Sequence, residues 1–209
     1  MEKQLRVVTL VGSLRRESYT RRVVNAVQEF APKSMAFEIV PIGSLPLYNE
    51  DDDAEEPPPA WQAFREQVRS GDAVLFATPE YNRSIPGVMK NAIDVASRPA
   101  GASVWSGKPA AVLSVSPGAF GGFGANHHLR QCLTFLDMPV LQQPEAYLGR
   151  VAGVIDAGGR ITASDTREFL QAFVGAFEQW IRRLQNPGQR LRLSHRDAFA
   201  RPSQSRPPR

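Results

Sequence analysis

The segment GSLRRESYT, residues 12–20, carries hydroxyl and guanidinium groups directly after an apolar run. Backbone N–H groups at the start of a helix favour an anion, because they are unpaired and lie at the positive end of the helix dipole. Ser13, Ser18 and Thr20 could add hydroxyl donors there, and Arg15 could add a forked, charge-assisted contact. These residue types predict a phosphate site; the alternative is an ordinary solvated turn between a strand and a helix.

A second polar loop consists of Pro79, Glu80, Tyr81 and Asn82, which follow the apolar run Val74–Ala77. An unbroken apolar run of this kind is typical of a strand buried on both faces of a parallel sheet. Tyr81 offers a flat apolar face, and Asn82 offers a donor and an acceptor that suit the edge of a heterocycle. The loop is therefore a candidate ring-binding site; a tight turn with a surface tyrosine is the alternative.

A third loop is rich in glycine and follows the predicted strand PAAVLSVS, which ends at Ser116. Four glycines fall within seven residues, among them Gly118, Gly121 and Gly122. Glycine lets the backbone approach a flat ligand closely and present N–H groups to it, although such a loop can also simply be mobile. Because ligands bind at the carboxyl ends of parallel strands, we expect all three loops to meet at one sheet edge.

Five strand–helix units must position these loops. The predicted strands cover residues 5–11, 37–42, 74–77 and 109–116, and a short fifth strand begins at Pro139-Val140-Leu141. We predict an α/β fold with a flavodoxin-like, doubly wound, five-stranded parallel sheet of order 2-1-3-4-5 and helices on both faces. In that order a ligand lies at the switch point between strands 1 and 3, which the first two loops follow.

The stretch PEYNRSIPGVMKNAIDVASRP, residues 79–99, closely resembles the signature of the NADPH-dependent FMN reductase family. This flavodoxin-like group includes quinone, chromate and azo-dye reductases, and the resemblance runs from about Leu5 to about Leu184. It implies that FMN binds non-covalently, with its phosphate on the first loop and its ring along the second and third. The implied cofactor-binding residues are Ser13, Arg15, Ser18, Tyr19, Thr20, Pro79, Glu80, Tyr81, Asn82, Ser116, Gly118, Gly121 and Gly122. Many members carry Asn where this chain has Thr20.

The resemblance also implies the activity. NADPH or NADH would pass a hydride to FMN, and the electrons would then go to a small acceptor such as a quinone, a flavin, an azo dye or a metal oxyanion. The flavin carries this chemistry, so no side chain is assigned a catalytic role. A flavodoxin-like electron carrier without its own NAD(P)H reductase activity is the alternative function. A homodimer or homotetramer is implied as well. Gly124 and His127 stand where some relatives have Arg and Tyr, which bears on the acceptor side and the subunit contacts.

Composition and charge exclude several other classes. A chain of 209 residues with 42% hydrophobic and 22% charged residues predicts one globular domain, residues 1–185. From residue 186 onward, six arginines face one acid, a charge of +5, so a net charge of +4 leaves −1 on residues 1–185. We therefore interpret residues 186–209 as a basic, disordered tail, and the near-neutral body argues against a nucleic-acid partner. A P-loop motif and the G-x-G-x-x-G turn of dinucleotide-binding folds are both absent.

The remaining polar groups predict neither a metal site nor a membrane association. The acidic stretch Asn49–Glu56 lacks the spacing of a calcium loop and is interpreted as a solvated surface loop. His127 and His128 are adjacent in sequence, so on a helix they point in different directions. Cys132 lies on an apolar helical stripe, as a small buried hydrophobe would. One cysteine, no apolar run long enough to span a bilayer and no signal-peptide pattern favour a cytoplasmic protein.

Overall fold

Five parallel strands form the sheet of this protein: β1 (Leu5–Val11), β2 (Met35–Ile39), β3 (Ala73–Thr78), β4 (Ala110–Val115) and β5 (Ala146–Leu148). The computed structural model describes residues 3–54 and 56–185. The strand order across the sheet is β2-β1-β3-β4-β5. This order confirms the predicted flavodoxin-like, doubly wound topology. The strands are added outward in one direction from β1 to β2 and in the opposite direction from β3 to β5, so the switch point lies between β1 and β3.

Five α-helices cover the two faces of the sheet: α1 (Tyr19–Phe30), α2 (Pro59–Ser70), α3 (Gly87–Ala96), α4 (Phe123–Phe135) and α5 (Ser164–Gln185). Residues of α1 and α5 share one buried cluster with one side of the strands. Residues of α2, α3 and α4 share a second cluster with the other side. The predicted helices on both faces are therefore confirmed.

The strand sequences explain why both faces need a cover. All six residues of β3 are buried, and so are all six of β4. Successive side chains of a strand point to opposite faces; Val74 and Phe76 join the α2–α4 cluster, and Leu75 joins the α1–α5 cluster. Because apolar side chains project from both faces, the strands are stable only between two helical layers.

The second strand begins and ends earlier than the sequence-based prediction. The second strand was placed at residues 37–42, whereas β2 spans Met35–Ile39. The Val40 N–H still donates to the Thr9 carbonyl at 3.0 Å, but the next residue, Pro41, has no N–H to continue the ladder.

The prediction of a fifth strand beginning at Pro139-Val140-Leu141 is wrong. Val140 forms only an isolated bridge with Ala110, at the start of β4. The chain then turns away, and β5 pairs later with residues 113–115 of β4. Pro144 lies between the two pairings and has no N–H to donate, so the ladder cannot run through this segment.

The acidic segment after β2 is not wholly solvated, contrary to the prediction. The Asp53 side chain is only 2% exposed, and the side chain of Arg65 on α2 is 8% exposed. Two parallel bonds join them, from Arg65 Nη1 to Asp53 Oδ1 at 2.8 Å and from Nη2 to Oδ2 at 2.6 Å. The Arg65 Nε–H also donates to the Val95 carbonyl at 2.9 Å. This buried ion pair fixes the segment against α2 and α3.

The predicted basic tail, residues 186–209, lies outside the described residues. Within residues 3–54 and 56–185, none of the helices has the length and hydropathy of a membrane span.

Candidate active site

The loops that follow β1 and β3 touch each other at the carboxyl edge of the sheet. Gly12 packs so closely that a Cβ atom there would lie 3.3 Å from Pro79 Cδ and 3.3 Å from Met89 Cε. The Gly12 N–H donates to the Ala77 carbonyl at 2.8 Å, which continues the β1–β3 pairing into the loop. The first two candidate loops therefore meet at the switch point, as predicted.

A cleft of about 460 Å³ opens between these loops and the start of α3. Its size is within the range of small-molecule sites, about 300–1,000 Å³. The residues lining it come from both loops and from the first turn of α3: Gly12, Leu14, Arg15, Tyr81, Pro86, Gly87 and Val88. The cleft thus has one basic side chain among mostly apolar ones.

Two hydroxyl residues of the predicted phosphate site lie near the cleft in sequence or at the start of α1: Ser13 lies between the lining residues Gly12 and Leu14, and Thr20 lies in the first turn of α1. Ser13 is 5% exposed and Thr20 is 2% exposed, and neither hydroxyl bonds to another described residue. Thr9 is the one described residue with a fully buried polar side-chain atom that lacks a partner, so the Ser13 and Thr20 oxygens stay reachable. Unpartnered hydroxyls in otherwise buried residues are costly unless a ligand or water bonds to them.

Ser18 has a second role that the sequence did not assign to it. Ser18 is the N-cap of α1, and its Oγ accepts the Arg21 N–H at 3.1 Å. The hydroxyl hydrogen stays available, because an accepting hydroxyl can still donate. Ser18 can therefore cap the helix and bond to an anion at the same time. Tyr19 begins the helix and packs half-buried against the α1–α5 cluster.

Positive charge surrounds this end of α1. Arg15 and Arg16 are exposed, and neither pairs with an acid among the described residues. Glu17 is the acid in this loop, and it is paired with Arg22. The local excess of positive charge, the N-terminal dipole of α1 and the hydroxyls together suit a phosphate group.

The second loop folds as a tight hairpin. Tyr81 and Ser84 exchange two backbone hydrogen bonds, at 3.0 and 2.9 Å, and the two residues between them have positive φ, 51° for Asn82 and 64° for Arg83. This is the geometry of a two-residue hairpin turn. Tyr81 is 52% exposed and lines the cleft. The loop is therefore a tight turn, and its tyrosine lies at the candidate site. The binding of a ring by this loop stays a prediction.

The glycine-rich loop approaches protein backbone rather than open space. Gly121 has φ 61°, and a Cβ there would lie 2.7 Å from the Tyr147 carbonyl carbon at β5. Gly122 has φ 77° and lies against Ser114 and Glu80. The Gly118 N–H donates to Ser116 Oγ at 3.0 Å. Gly121 and Gly122 thus pack closely against β5, β4 and Glu80, and their predicted close approach to a flat ligand stays a prediction.

Three aromatic side chains lie beside the glycine-rich loop. The Phe123 and His127 rings are 4.2 Å apart between centroids, and the Tyr147 hydroxyl lies 2.9 Å from His127 Nε2. Burial raises the pKa of Tyr147 to about 12, and a hydrogen bond with Glu145 adds to the effect. The Tyr147 phenol therefore keeps its proton at neutral pH.

Sequence reasoning missed the apolar walls of the cleft. Leu14, Pro86 and Val88 line it, yet none of the three is among the residues predicted to bind the cofactor. Their positions in the sequence could have identified them, because these residues flank the polar groups of the same two loops. The contact of the hairpin with α4, described below, has no comparable signal in the sequence.

Comparisons with known proteins indicate the family of this chain. A family model described as NADPH-dependent FMN reductase matches residues 5–153. A quinone reductase from Pseudomonas putida is 60% identical over 182 residues, which cover 87% of this chain and 97% of that protein. A 2-hydroxy-1,4-benzoquinone reductase from a Burkholderia species is 46% identical over 178 residues, 85% of this chain and 97% of that protein.

A solved structure supports the same assignment. The flavoenzyme FerB, an NAD(P)H:(acceptor) oxidoreductase from Paracoccus denitrificans, superposes with a TM-score of 0.81 at 41% identity. The match covers 85% of this chain and 97% of FerB. Fold, cleft position and sequence identity lead to one conclusion: this chain belongs to the NADPH-dependent FMN reductase family.

Proposed function

We propose that this protein is an FMN-dependent NAD(P)H oxidoreductase whose second substrate is a small acceptor, in the first place a quinone. The observation that carries the proposal is the cleft at the β1–β3 switch point. Arg15, which has no acid partner among the described residues, lines this cleft among mostly apolar side chains. Ser13, whose hydroxyl has no partner among those residues, lies in sequence between the lining residues Gly12 and Leu14. When bound, FMN supplies the redox chemistry, accepting a hydride and returning the electrons to a second substrate.

The first loop binds the phosphate in this proposal. The hydroxyls of Ser13, Ser18 and Thr20 donate to phosphate oxygens, together with backbone N–H groups at the start of α1. Arg15 adds a charge-assisted contact from the cleft wall. A hydroxyl at Thr20 replaces one donor of the Asn that many family members carry.

The hairpin and α3 shape the space beside the flavin ring. Hydride transfer needs the two reacting atoms within about 3–3.5 Å, so one face of the ring has to stay open to the nicotinamide. Tyr81 is half exposed at the opening of the cleft, where it can pack against whichever substrate enters. The hydride donor and the acceptor then use the same opening in turn, and one leaves before the other binds.

The cleft walls favour a flat, apolar acceptor. Leu14, Pro86 and Val88 offer apolar contacts, which a quinone ring can use and a metal oxyanion cannot. The named relatives include a quinone reductase and a 2-hydroxy-1,4-benzoquinone reductase, which supports a quinone as the preferred acceptor. Azo dyes, free flavins and metal oxyanions are further candidate acceptors of lower expected efficiency.

Steady-state kinetics with an acceptor panel test this function. The FMN-loaded protein is assayed for NADPH and NADH oxidation with a benzoquinone, riboflavin, an azo dye and chromate. We expect the highest kcat/KM with the quinone and parallel double-reciprocal lines when both substrates are varied. Intersecting lines would contradict the shared opening, and no NAD(P)H oxidation with any acceptor would favour the electron-carrier function.

A further inference from the structure

Helix α4 begins without a capping side chain of its own. Its N-cap residue is Gly122, which has no side chain to accept a bond from the first turn. The Ala125 N–H in that turn instead donates to Glu80 Oε2 at 3.0 Å, across 45 residues of sequence. The Glu80 side chain is 16% exposed. A carboxylate at a helix N-terminus stabilises it through both the hydrogen bond and the helix dipole.

Two further contacts hold the hairpin of residues 81–84 against the same helix. A Cβ atom at Gly124 would lie 2.9 Å from the Arg83 carbonyl oxygen and 3.0 Å from Glu80 Oε2, so the missing side chain makes room for the hairpin. One helical turn later, Ser84 Oγ lies 2.6 Å from His128 Nδ1. The hairpin is thus joined to two successive turns of α4, the helix that the glycine-rich loop enters.

We propose that Glu80 is a positioning residue: it caps α4 and thereby locks the Tyr81 hairpin and the glycine-rich loop into one unit. This role rests on the proposed function, since Tyr81 on this hairpin lines the cleft that we propose for FMN. Glu80 does not line the cleft, and its Oε2 already bonds to α4. Its effect on flavin binding therefore passes through the helix cap and not through a contact with the ring.

The Glu80 cap raises the fraction of protein molecules whose hairpin is already in its binding position. An apparent Kd rises in proportion as that fraction falls. Losing a charged cap costs about 0.5–2 kcal/mol, which corresponds to a roughly two- to thirtyfold decrease in the equilibrium constant between hairpins in and out of the binding position. Since the phosphate loop is separate, FMN and riboflavin should weaken by the same factor.

The test compares Glu80→Ala with the isosteric Glu80→Gln, whose amide oxygen can still accept the Ala125 N–H. Glu66→Ala, which removes an exposed carboxylate from α2, serves as the matched control. Hydrogen exchange of the Ala125 N–H is measured by NMR on the full chain, and Kd values for FMN and riboflavin are measured by flavin fluorescence. We expect Glu80→Ala to speed exchange at Ala125 and to raise both Kd values about tenfold, with their ratio unchanged. Glu80→Gln should stay within about threefold of the wild type.

Three results would overturn the role. They are unchanged Ala125 exchange in Glu80→Ala, a Glu80→Gln variant as impaired as Glu80→Ala, or unchanged flavin affinity in Glu80→Ala. A failure of the function itself looks different: the wild-type protein would not bind FMN, while the exchange of Ala125 would still respond to Glu80→Ala.

Discussion

Arg15 provides the sharpest residue-scale test of the phosphate loop. It lines the cleft and has no acid partner among the described residues, so its charge is available to a ligand. Arg15→Ala should weaken FMN binding by about 1–3 kcal/mol, the range of a charge-assisted contact. Riboflavin lacks the phosphate, so its affinity should barely change. Isothermal titration of the two flavins into the apoprotein measures both effects.

A matched control for that titration is Arg183→Ala, which removes an exposed arginine from the last turn of α5. This control should change neither affinity. Equal binding of FMN and riboflavin by the wild-type protein would show that the first loop does not hold a phosphate.

Tyr81 is the residue that should separate cofactor retention from substrate selection. It lies on the cleft wall and is half exposed, while the phosphate donors are on another loop. Tyr81→Ala should raise the KM for NAD(P)H and change the order of acceptors, with a smaller change in FMN retention. Tyr81→Phe keeps the ring and should behave like the wild type. If Tyr81→Ala instead loses its FMN on gel filtration, Tyr81 is a primary anchor of the flavin.

At the scale of elements, periodicity and turn residues predicted most of the fold correctly. Continuous apolar runs marked β1, β3 and β4 because those strands are buried on both sides. The fifth strand was misplaced because it has only three residues, Ala146–Leu148, too few for a pattern. Val140 and Leu141 resemble a strand more closely than residues 146–148 do. The nearby Pro139 and Pro144, however, restrict their pairing with β4.

The same limit applies to the site. Loops that follow buried strands could be located from the sequence, so the residues of the first two loops were identified correctly as neighbours. Contacts between segments that are distant in the sequence produce no sequence pattern from which they could be predicted. The bond from Ala125 to Glu80 and the ion pair of Asp53 with Arg65 depend on how helices pack, which residue types alone do not specify.

The buried ion pair between the acidic segment and α2 carries a stability prediction. Arg65→Ala would leave the Asp53 carboxylate, 2% exposed, without its charged partner. Breaking a buried pair in this way costs about 3–5 kcal/mol. Urea denaturation should show that loss in the free energy of unfolding.

Its control lies one helical turn further along α2. Arg69 pairs with Glu66, and their side chains are 56% and 69% exposed, so Arg69→Ala should cost less than about 1 kcal/mol. Similar losses in the two variants would mean that the Arg65–Asp53 pair adds no more than a surface pair does.

At the scale of the whole molecule, we expect a homodimer or homotetramer with the flavin near the subunit contact. The expectation comes from the family resemblance, since an isolated flavodoxin-like fold can be monomeric. Exposed apolar side chains near the candidate site, Leu14 at 59% and Phe120 at 75%, offer surface that a second copy could cover. Light scattering at micromolar concentration measures the mass, and a 23.1 kDa particle would contradict the expectation.

The measurement that tests the central claim most directly is an anaerobic titration of the FMN-loaded protein with NADPH and NADH, followed by absorbance. The account predicts that a stoichiometric amount of at least one of them bleaches the flavin band, and that adding a benzoquinone restores it. If neither nucleotide bleaches FMN bound to the wild-type protein, the chain is not an NAD(P)H oxidoreductase, and the electron-carrier function takes its place.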